Sequence, residues 1–474
     1  MTAPQQLHES TRGEAPELAF SDALLAGLAR DGGLYWPKDW PSLSKAEIAS
    51  FAGQSYAAVA ENIIGRFADD IETKAFSRMV RDAYATFRHP AVCPLTQLGD
   101  NLFVLELFHG PTLAFKDVAM QLLGRMMDHV LEKRDERATI VGATSGDTGG
   151  AAIDAFKGLN RVDMFILYPH GRVSEVQRRQ MTTVNAKNVH AIAVDGTFDD
   201  CQALVKAMFN HHAFRDSLRL SGVNSINWAR IVAQIVYYFT ASVSLGAPHR
   251  EVSFSVPTGN FGDILAGWVA KKMGLPIRLL TIATNDNDIL ARALASGRYE
   301  MTGVLPTTSP SMDIQISSNF ERLLFEAYGR DSGAIRQLMA QLAQSKAFTI
   351  APEALSAIRQ DFAADAVLQR GVDDEMRETW QNAGYLLDPH TAIGVAAARP
   401  KLIKDPATPI IVLGTAHPAK FPDAVEHATG MRPALPEHLG DLYTRTEHFS
   451  QLPNDRGAIE EFIRRHARAT NGAV

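Results

Sequence analysis

Lys116 lies near the start of a predicted helix, where a lysine amine could form an imine with a carbonyl compound. It belongs to the segment 109–117, HGPTLAFKD, and apolar residues recur beyond it at helical spacing. The positive end of a helix dipole disfavours an ammonium group, so we expect a lowered lysine pKa and a neutral, nucleophilic amine. A solvated surface lysine is the alternative that this segment alone leaves open.

A glycine-containing loop follows the apolar run 252–256 and precedes a predicted helix. The loop extends from Pro257 to Asp263. Its backbone N–H groups, at the positive end of a helix, can bind a phosphate group, and its glycines permit close approach. An ordinary strand-to-helix turn is the alternative, and the GxxxxGK[ST] pattern of a P-loop is absent. The residues predicted to bind phosphate are Gly259, Asn260, Phe261, Gly262 and Asp263.

Two further loops carry polar side chains directly after predicted strands. The first combines hydroxyls and small residues at a helix start, which suits a carboxylate; a helix N-cap accounts for one or two of these hydroxyls but not for all. In the second, 413–421, Thr415 can donate to a ring nitrogen or cap the next helix, and both interpretations stay open. The residues of the first loop are Thr144, Ser145, Gly146, Asp147 and Thr148.

The elements that position these loops alternate between short apolar runs and helical patterns. This alternation predicts an α/β protein with parallel sheets, whose ligands bind at the carboxyl ends of the strands. Residues 1 to about 90 are predicted to be mostly helical. The predicted strands are 139–141, 164–167, 190–194, 252–256, 279–282 and 410–413.

Taken together and in order, the motifs resemble those of threonine synthases, in particular the long form found in yeast and enteric bacteria. The segment 109–117 resembles the lysine motif that holds pyridoxal 5′-phosphate (PLP), and 258–263 the phosphate loop. The segment 144–149 resembles the family's ATSGDTG loop, and 413–421 its segment with the ring-nitrogen threonine. Further similar segments are 10–13, 31–37, 168–174, 195–200, 224–230 and 318–322.

The resemblance implies the fold type II architecture of PLP enzymes, similar to the tryptophan synthase β chain, with the cofactor between two parallel-sheet α/β domains. It implies an N-terminal segment over 1–90, a large PLP-binding domain over 91–130 and 221–474, and a small domain over 131–220. Lys116 would hold the cofactor and act as the catalytic base, Gly259–Asp263 would bind its phosphate, and Thr415 would lie at its ring nitrogen.

The activity implied is conversion of O-phospho-L-homoserine and water to L-threonine and phosphate, the last step of threonine biosynthesis. Thr144–Thr148 would bind the substrate carboxylate or phosphate, and Asn227, Arg230 and Lys420 are candidates for the substrate phosphate, which needs charge-assisted donors. Two alternatives remain: another fold type II enzyme, such as a serine or threonine dehydratase or a β-replacing synthase, and a non-enzymatic PLP or phosphate binder.

Composition excludes several other classes of protein. A formal net charge of −6 argues against a nucleic-acid partner, and two distant cysteines argue against a disulfide scaffold or a zinc site. Residues 1–13 do not have the pattern of a signal or transit peptide. The apolar run 231–247 contains Gln234, and we expect a buried helix rather than a membrane span. A cytoplasmic enzyme, monomeric or homodimeric, is expected.

Overall fold

Two sheets, each covered by helices, organise the computed structural model, which describes residues 5–469. The ends of the predicted N-terminal segment and large domain, 1–4 and 470–474, lie outside the described residues. All six predicted strands are present, each extended by one to four residues, because backbone pairing continues past the apolar run.

The regular structure of the N-terminal segment is mostly helical, and the segment is anchored to the rest of the protein through aromatic packing. The buried Trp36 ring lies 5.0 Å from that of Trp228, and the buried Arg322 side chain donates to the Tyr35 carbonyl at 2.8 and 3.1 Å. Arg12 also forms an ion pair with Glu321 at 3.0 Å. The elements are β1 (His8–Ser10), α1 (Phe20–Ala26), β2 (Tyr35–Pro37), α2 (Lys45–Ser50), α3 (Tyr56–Gly65) and α4 (Thr73–Tyr84).

The large sheet has six strands in the order β13-β10-β9-β14-β4-β3, all parallel except the edge strand β3. Its first elements are β3 (Leu95–Gly99), β4 (Leu102–Glu106) and α5 (Lys116–Lys133). The chain returns to it with α10 (Trp228–Ser244), β9 (Val252–Pro257), α11 (Gly262–Lys272), β10 (Ile277–Thr284), α12 (Ile289–Ser296), β13 (Phe362–Ala366), α16 (Gln369–Ala383), α17 (Pro389–Lys404), β14 (Ile410–Gly414) and α18 (Pro422–Thr429).

An excursion between α12 and β13 carries a two-stranded antiparallel sheet and three helices. Its elements are β11 (Arg298–Glu300), α13 (Phe320–Ala327), α14 (Ser332–Ser345), β12 (Ala347–Thr349) and α15 (Pro352–Asp361). Short 3-10 helices occur at Pro310–Met312, Pro418–Lys420 and Glu437–Leu439.

The small sheet has five parallel strands in the order β15-β7-β6-β5-β8. Its central strand β6 is buried along its whole length, as parallel strands covered on both faces are. The elements are β5 (Ala138–Ala143), α6 (Asp147–Phe156), β6 (Val162–Pro169), α7 (Glu175–Thr182), β7 (Val189–Asp195), α8 (Phe198–Asn210), α9 (His212–Ser217), β8 (Leu220–Ser221), β15 (Ser450–Pro453) and α19 (Arg456–His466).

The position of β15 and α19 differs from the predicted domain boundary, which assigned everything after residue 221 to the large domain. The chain crosses back to the small sheet, where β15 pairs with β7 and α19 buries Ile459 and Ile463 in the small-domain core. Strand β15 is short and half exposed, so its local sequence carries little strand signal.

Helix α10 contains most of the apolar run from 231 and is almost entirely buried, as predicted. Across residues 5–469, none of the helices combines the length and the apolar character needed to cross a membrane.

Candidate active site

The carboxyl ends of three neighbouring strands of the large sheet, β4, β14 and β9, open onto one cavity. The loops after them contribute Lys116, Thr415 and the segment 259–262, while the loop after β5 of the small sheet contributes Asp147 and Thr148. Strands β9, β14 and β4 are adjacent and parallel, so loops that are far apart in sequence meet at one edge. The structure therefore brings together all four segments that the sequence singled out.

Lys116 is the first residue of α5 and is buried, not solvated as a surface lysine would be. Its Nζ lies 3.3 Å from Oδ2 of Asp147 and 4.7 Å from the centre of the Phe115 ring. Burial lowers the pKa of Lys116; nearby Lys420 and Arg230 lower it further, while Asp147 opposes them. The direction of this shift agrees with the predicted one, and its largest cause is burial away from water.

The loop after β9 forms a backbone cradle. Phe261 has a left-handed conformation (φ 63°), and Gly262 begins α11. In the described part of the chain, the N–H groups of residues 259–262 have no hydrogen-bond acceptor. A Cβ atom on Gly259 would lie 2.8 Å from the Ser311 carbonyl oxygen, closer than such atoms approach. Unpaired N–H groups at a helix start fit a phosphate group.

The sequence grouped Asp263 with the residues that bind the phosphate, but its carboxyl group contacts tyrosine hydroxyls. The Tyr237 hydroxyl donates to its Oδ1, and the Tyr238 hydroxyl donates to its backbone carbonyl oxygen at 2.9 Å and lies 3.5 Å from Oδ1. Its buried Oδ2 has no partner among the described residues. Burial raises the pKa of Asp263 to about 7. A neutral carboxyl group can adjoin a phosphate group, whereas a carboxylate would repel it.

Thr415 lies in the cavity wall with its hydroxyl uncommitted. The 3-10 helix that follows is capped by His417, whose Nδ1 accepts from the N–H of Ala419 at 3.1 Å. The Thr415 hydroxyl makes no hydrogen bond with the described residues, whereas its carbonyl accepts from the N–H of Phe115 at 2.8 Å. Because His417 is the cap, the capping interpretation of Thr415 does not hold.

Within the loop at 144–148, only Asp147 and Thr148 line the cavity. Thr144 is buried, and its hydroxyl accepts from the N–H groups of Gly146 and Gly149, both at 2.9 Å. Thr144 therefore shapes the loop. Ser145 and Gly146 also lie outside the cavity lining.

Arg230 and Asn227, three residues apart near the start of α10, have different surroundings. Arg230 lines the cavity and is 3% exposed, and its buried Nε has no partner among the described residues. Burial lowers the pKa of Arg230 to about 10, so it remains charged near neutral pH. Asn227 caps α10 through the N–H of Ala229 at 3.1 Å and donates to the Leu24 carbonyl at 2.9 Å. Arg230 therefore has free capacity for an anion, whereas Asn227 lies outside the lining.

His390 also lines the cavity and was missed in the sequence. Its Nδ1 lies 2.7 Å from Oδ2 of Asp388, the N-cap of α17, and its buried Nε2 has no partner in the described residues. The string Asp388-Pro389-His390 after an apolar pair was the available signal, because Asp followed by Pro is typical of a helix start. Other lining residues that were missed are Ser225, Gln234, Ser311 and Met312.

A lysine amine and a phosphate cradle that share one cavity at the ends of parallel strands are the requirements of a PLP-dependent enzyme. The family comparison agrees, since residues 91–413 match the model described as a pyridoxal-phosphate dependent enzyme. The predicted cofactor and the fold type II architecture are thereby confirmed.

Two more specific family models match the flanking regions, "Threonine synthase N terminus" over residues 7–84 and "Threonine synthase, C-terminal" over residues 391–463. A threonine synthase from Pseudomonas aeruginosa is 52% identical over 459 residues, 96% of this chain and 98% of that protein. The chain belongs to the threonine synthase family, as its motifs predicted.

Two solved structures agree with this assignment. The crystal structure of a PLP-bound threonine synthase from Brucella melitensis is 62% identical, with a TM-score of 0.96, and covers 98% of this chain and 100% of its own. The yeast threonine synthase structure is 39% identical, with a TM-score of 0.92 over 98% of this chain and 99% of its own.

Proposed function

We propose that the enzyme converts O-phospho-L-homoserine and water to L-threonine and phosphate in the cavity between the two sheets. The observation that carries this proposal is the buried, charged Arg230, which faces the cavity close to Lys116 with an unpaired Nε. A substrate with a phosphate group supplies the anion that such a guanidinium requires. Serine and threonine, the substrates of the dehydratase alternative, have no second anionic group.

Lys116 is the proposed cofactor ligand and the proposed base. A bound PLP supplies an electron sink for the carbon next to the substrate amine. The backbone of residues 259–262 would bind the cofactor phosphate, and the Thr415 hydroxyl would lie at its ring nitrogen. The amine of Lys116, once exchanged for the substrate amine, would take the proton from Cα. General acid–base steps of this kind contribute about 10²- to 10⁴-fold each.

The substrate's own anions would be divided between the two sides of the cavity. Thr148, in the loop that Thr144 shapes, would orient the carboxylate, and Arg230 would bind the phosphate. Asn227 would contribute by fixing the first turn of α10, from which Arg230 projects. This division supports departure of the γ-phosphate, because the leaving group would stay paired with a fixed cation.

The expected setting is the cytoplasm, and the expected assembly is a monomer or homodimer. Two free and buried cysteines, Cys93 and Cys201, support a reducing compartment.

The test is the ratio of kcat/KM for O-phospho-L-homoserine, followed as phosphate release, to kcat/KM for L-serine and L-threonine, followed as keto acids. We expect a strong preference for the phosphorylated substrate. Preference for serine or threonine would contradict the proposal and favour a dehydratase, and absence of turnover on all three would favour a non-catalytic binder.

A variant tests the role of Arg230. Loss of charge-assisted hydrogen bonds worth about 1.5–3 kcal/mol in Arg230→Gln should lower kcat/KM for phosphohomoserine by roughly 10- to 100-fold. Arg432→Gln is the matched control, because Arg432 is half exposed and pairs with Asp423 on the surface. If Arg230→Gln instead weakens PLP binding and leaves kcat/KM of the reloaded enzyme unchanged, Arg230 binds the cofactor.

A further inference from the structure

Lys420 is fully buried beside the cavity, whereas lysines are almost never fully buried unless they are paired. Its Nζ lies 2.7 Å from the Thr112 carbonyl oxygen, 3.0 Å from Oε1 of Gln180 and 2.9 Å from Oδ1 of Asp147. Two N–H groups of this ammonium donate hydrogen bonds, to Thr112 and Gln180, and the contact with Asp147 is an ion pair. All three contacts are made within the protein, and Lys420 is not among the residues that line the cavity, so its position does not support the substrate-phosphate role that the resemblance suggested.

Asp147 lies between the two lysines of the site. Lys420 approaches its Oδ1 and Lys116 approaches its Oδ2, while Gln177 donates to Oδ1 at 2.9 Å. The carboxylate is 3% exposed, so its charge is not screened by water. An isolated carboxylate at this depth would hold Lys116 as an ammonium ion, and an ammonium ion cannot attack a carbonyl group or accept a proton.

We propose that Lys420 is a positioning residue that compensates the charge of Asp147 and thereby allows Lys116 to be a neutral amine. This inference rests on the proposed role of Lys116 as cofactor ligand and base. Lys420 acts through Asp147. It also fixes the segment that precedes α5, because it donates to the carbonyl of Thr112, four residues before Lys116. Its partners Gln180 and Asp147 belong to the small domain, so the same ammonium group connects both domains at the site.

The charged and titratable groups around Lys116 and Lys420 come from six elements, including α5 itself, whose buried Asp117 interacts with Lys420. Asp147 is on α6 and Lys420 on the 3-10 helix after β14; Arg230 is on α10 and Asp263 on α11. His390 of α17 acts on Asp147. Asp117, Asp147 and Asp263 are the acidic groups of this set, and the others are cationic or become so on protonation. Of the set, Lys116 and Lys420 are in direct contact with Asp147.

The experiment measures the titration of Lys116 in the apo-protein. Trace acetylation at a series of pH values, followed by peptide mass spectrometry, gives the midpoint for Lys116, and the exposed Lys404 in the same digests serves as internal reference. Removing a cation near Asp147 in Lys420→Met should raise the Lys116 midpoint by about one to two pH units. Asp147→Asn should lower it by a similar amount, and the double variant should return it close to that of the parent.

Lys401→Met is the matched control, because Lys401 pairs with Asp365 at 2.8 Å outside the cavity; it should leave the midpoint unchanged. Thermal melts verify that each variant is folded, and Asp147→Asn alone decides if Lys420→Met does not fold. The proposal is overturned if the titration midpoint of Lys116 stays constant or falls in Lys420→Met. It is also overturned if the midpoint does not fall in Asp147→Asn. In either case Lys420 only connects the two domains. The titration uses the apo-protein without cofactor or substrate. Its outcome therefore does not depend on the outcome of the phosphohomoserine assay, and the two proposals can fail separately.

Discussion

Replacement of Asp263 by asparagine should change how the stability of the apo-protein depends on pH. Asparagine keeps an oxygen to accept from the Tyr237 hydroxyl, and the Tyr238 hydroxyl still donates to the backbone carbonyl of residue 263. The NH₂ group takes the place of the unpartnered Oδ2. The substitution therefore preserves shape and removes only the ability to ionise.

The magnitude follows from the pKa of Asp263, which burial raises from 3.8 to about 7. Between these values the folded state retains a proton that the unfolded state has released, so the free energy of unfolding of the parent falls as pH rises. The slope is about 1.36 kcal/mol per pH unit, which gives about 2 kcal/mol from about pH 5.5 to pH 7. Asp263→Asn should lack this fall, so its stability relative to the parent should grow by that amount and level off above pH 7.

The assay is urea unfolding of both apo-proteins across this range, together with binding of pyridoxine 5′-phosphate, which has the phosphate group but no aldehyde to react with Lys116. Above pH 7 the parent should bind this ligand more weakly as Asp263 ionises, and the asparagine variant should not follow that trend. Asp423→Asn controls for loss of an exposed carboxylate. A stability difference that stays constant from about pH 5.5 to pH 7 would refute a buried, neutral Asp263.

Three further predictions concern the cofactor. Borohydride reduction of the holoenzyme should abolish its visible band and place the pyridoxyl group on Lys116; a group on any other lysine contradicts the assignment. Gly259→Asp should raise the PLP dissociation constant by about 100-fold or more, because its Cβ would lie 2.8 Å from the Ser311 carbonyl oxygen and its carboxylate repels the phosphate. The displaced loop should lose at least two charge-assisted hydrogen bonds of about 1.5–3 kcal/mol each. Gly99→Asp, where a Cβ meets no atom within 4 Å, is its control, and equal PLP retention by both variants would exclude the loop as the phosphate site. Thr415→Asp should retain PLP but form less threonine with altered products, because a carboxylate raises the pKa of the ring nitrogen and strengthens the electron sink; unchanged products and visible spectrum would remove Thr415 from that position.

The sequence was most informative about the strands and the loops that follow them. Runs such as 164–167 and 410–413 are apolar because parallel strands are buried on both faces, and this burial is visible without a structure. The return of β15 and α19 to the small sheet was missed because edge strands depend on a partner far away in the chain.

Side-chain roles at the site were predicted less completely than the loops. Thr144 and Asn227 have residue types that suit ligand binding, yet their hydrogen-bonding groups are used within the protein. His390 gave only a helix-start signal, and its position in the cavity follows from how α17 packs on β9 and β14.

By itself, the sequence determined the parallel α/β class, the family, the cofactor and the segments that meet at the site, because motifs and burial patterns are local properties. The tertiary structure decided which polar groups are buried away from water, which are hydrogen-bonded or ion-paired, and which are left without a partner. Asp147 and Lys420 are separated along the chain, but burial without water makes their contact strong enough to set the charge state of Lys116. Such coupling depends on distance and desolvation, and both exist only once the two sheets and their loops have come together.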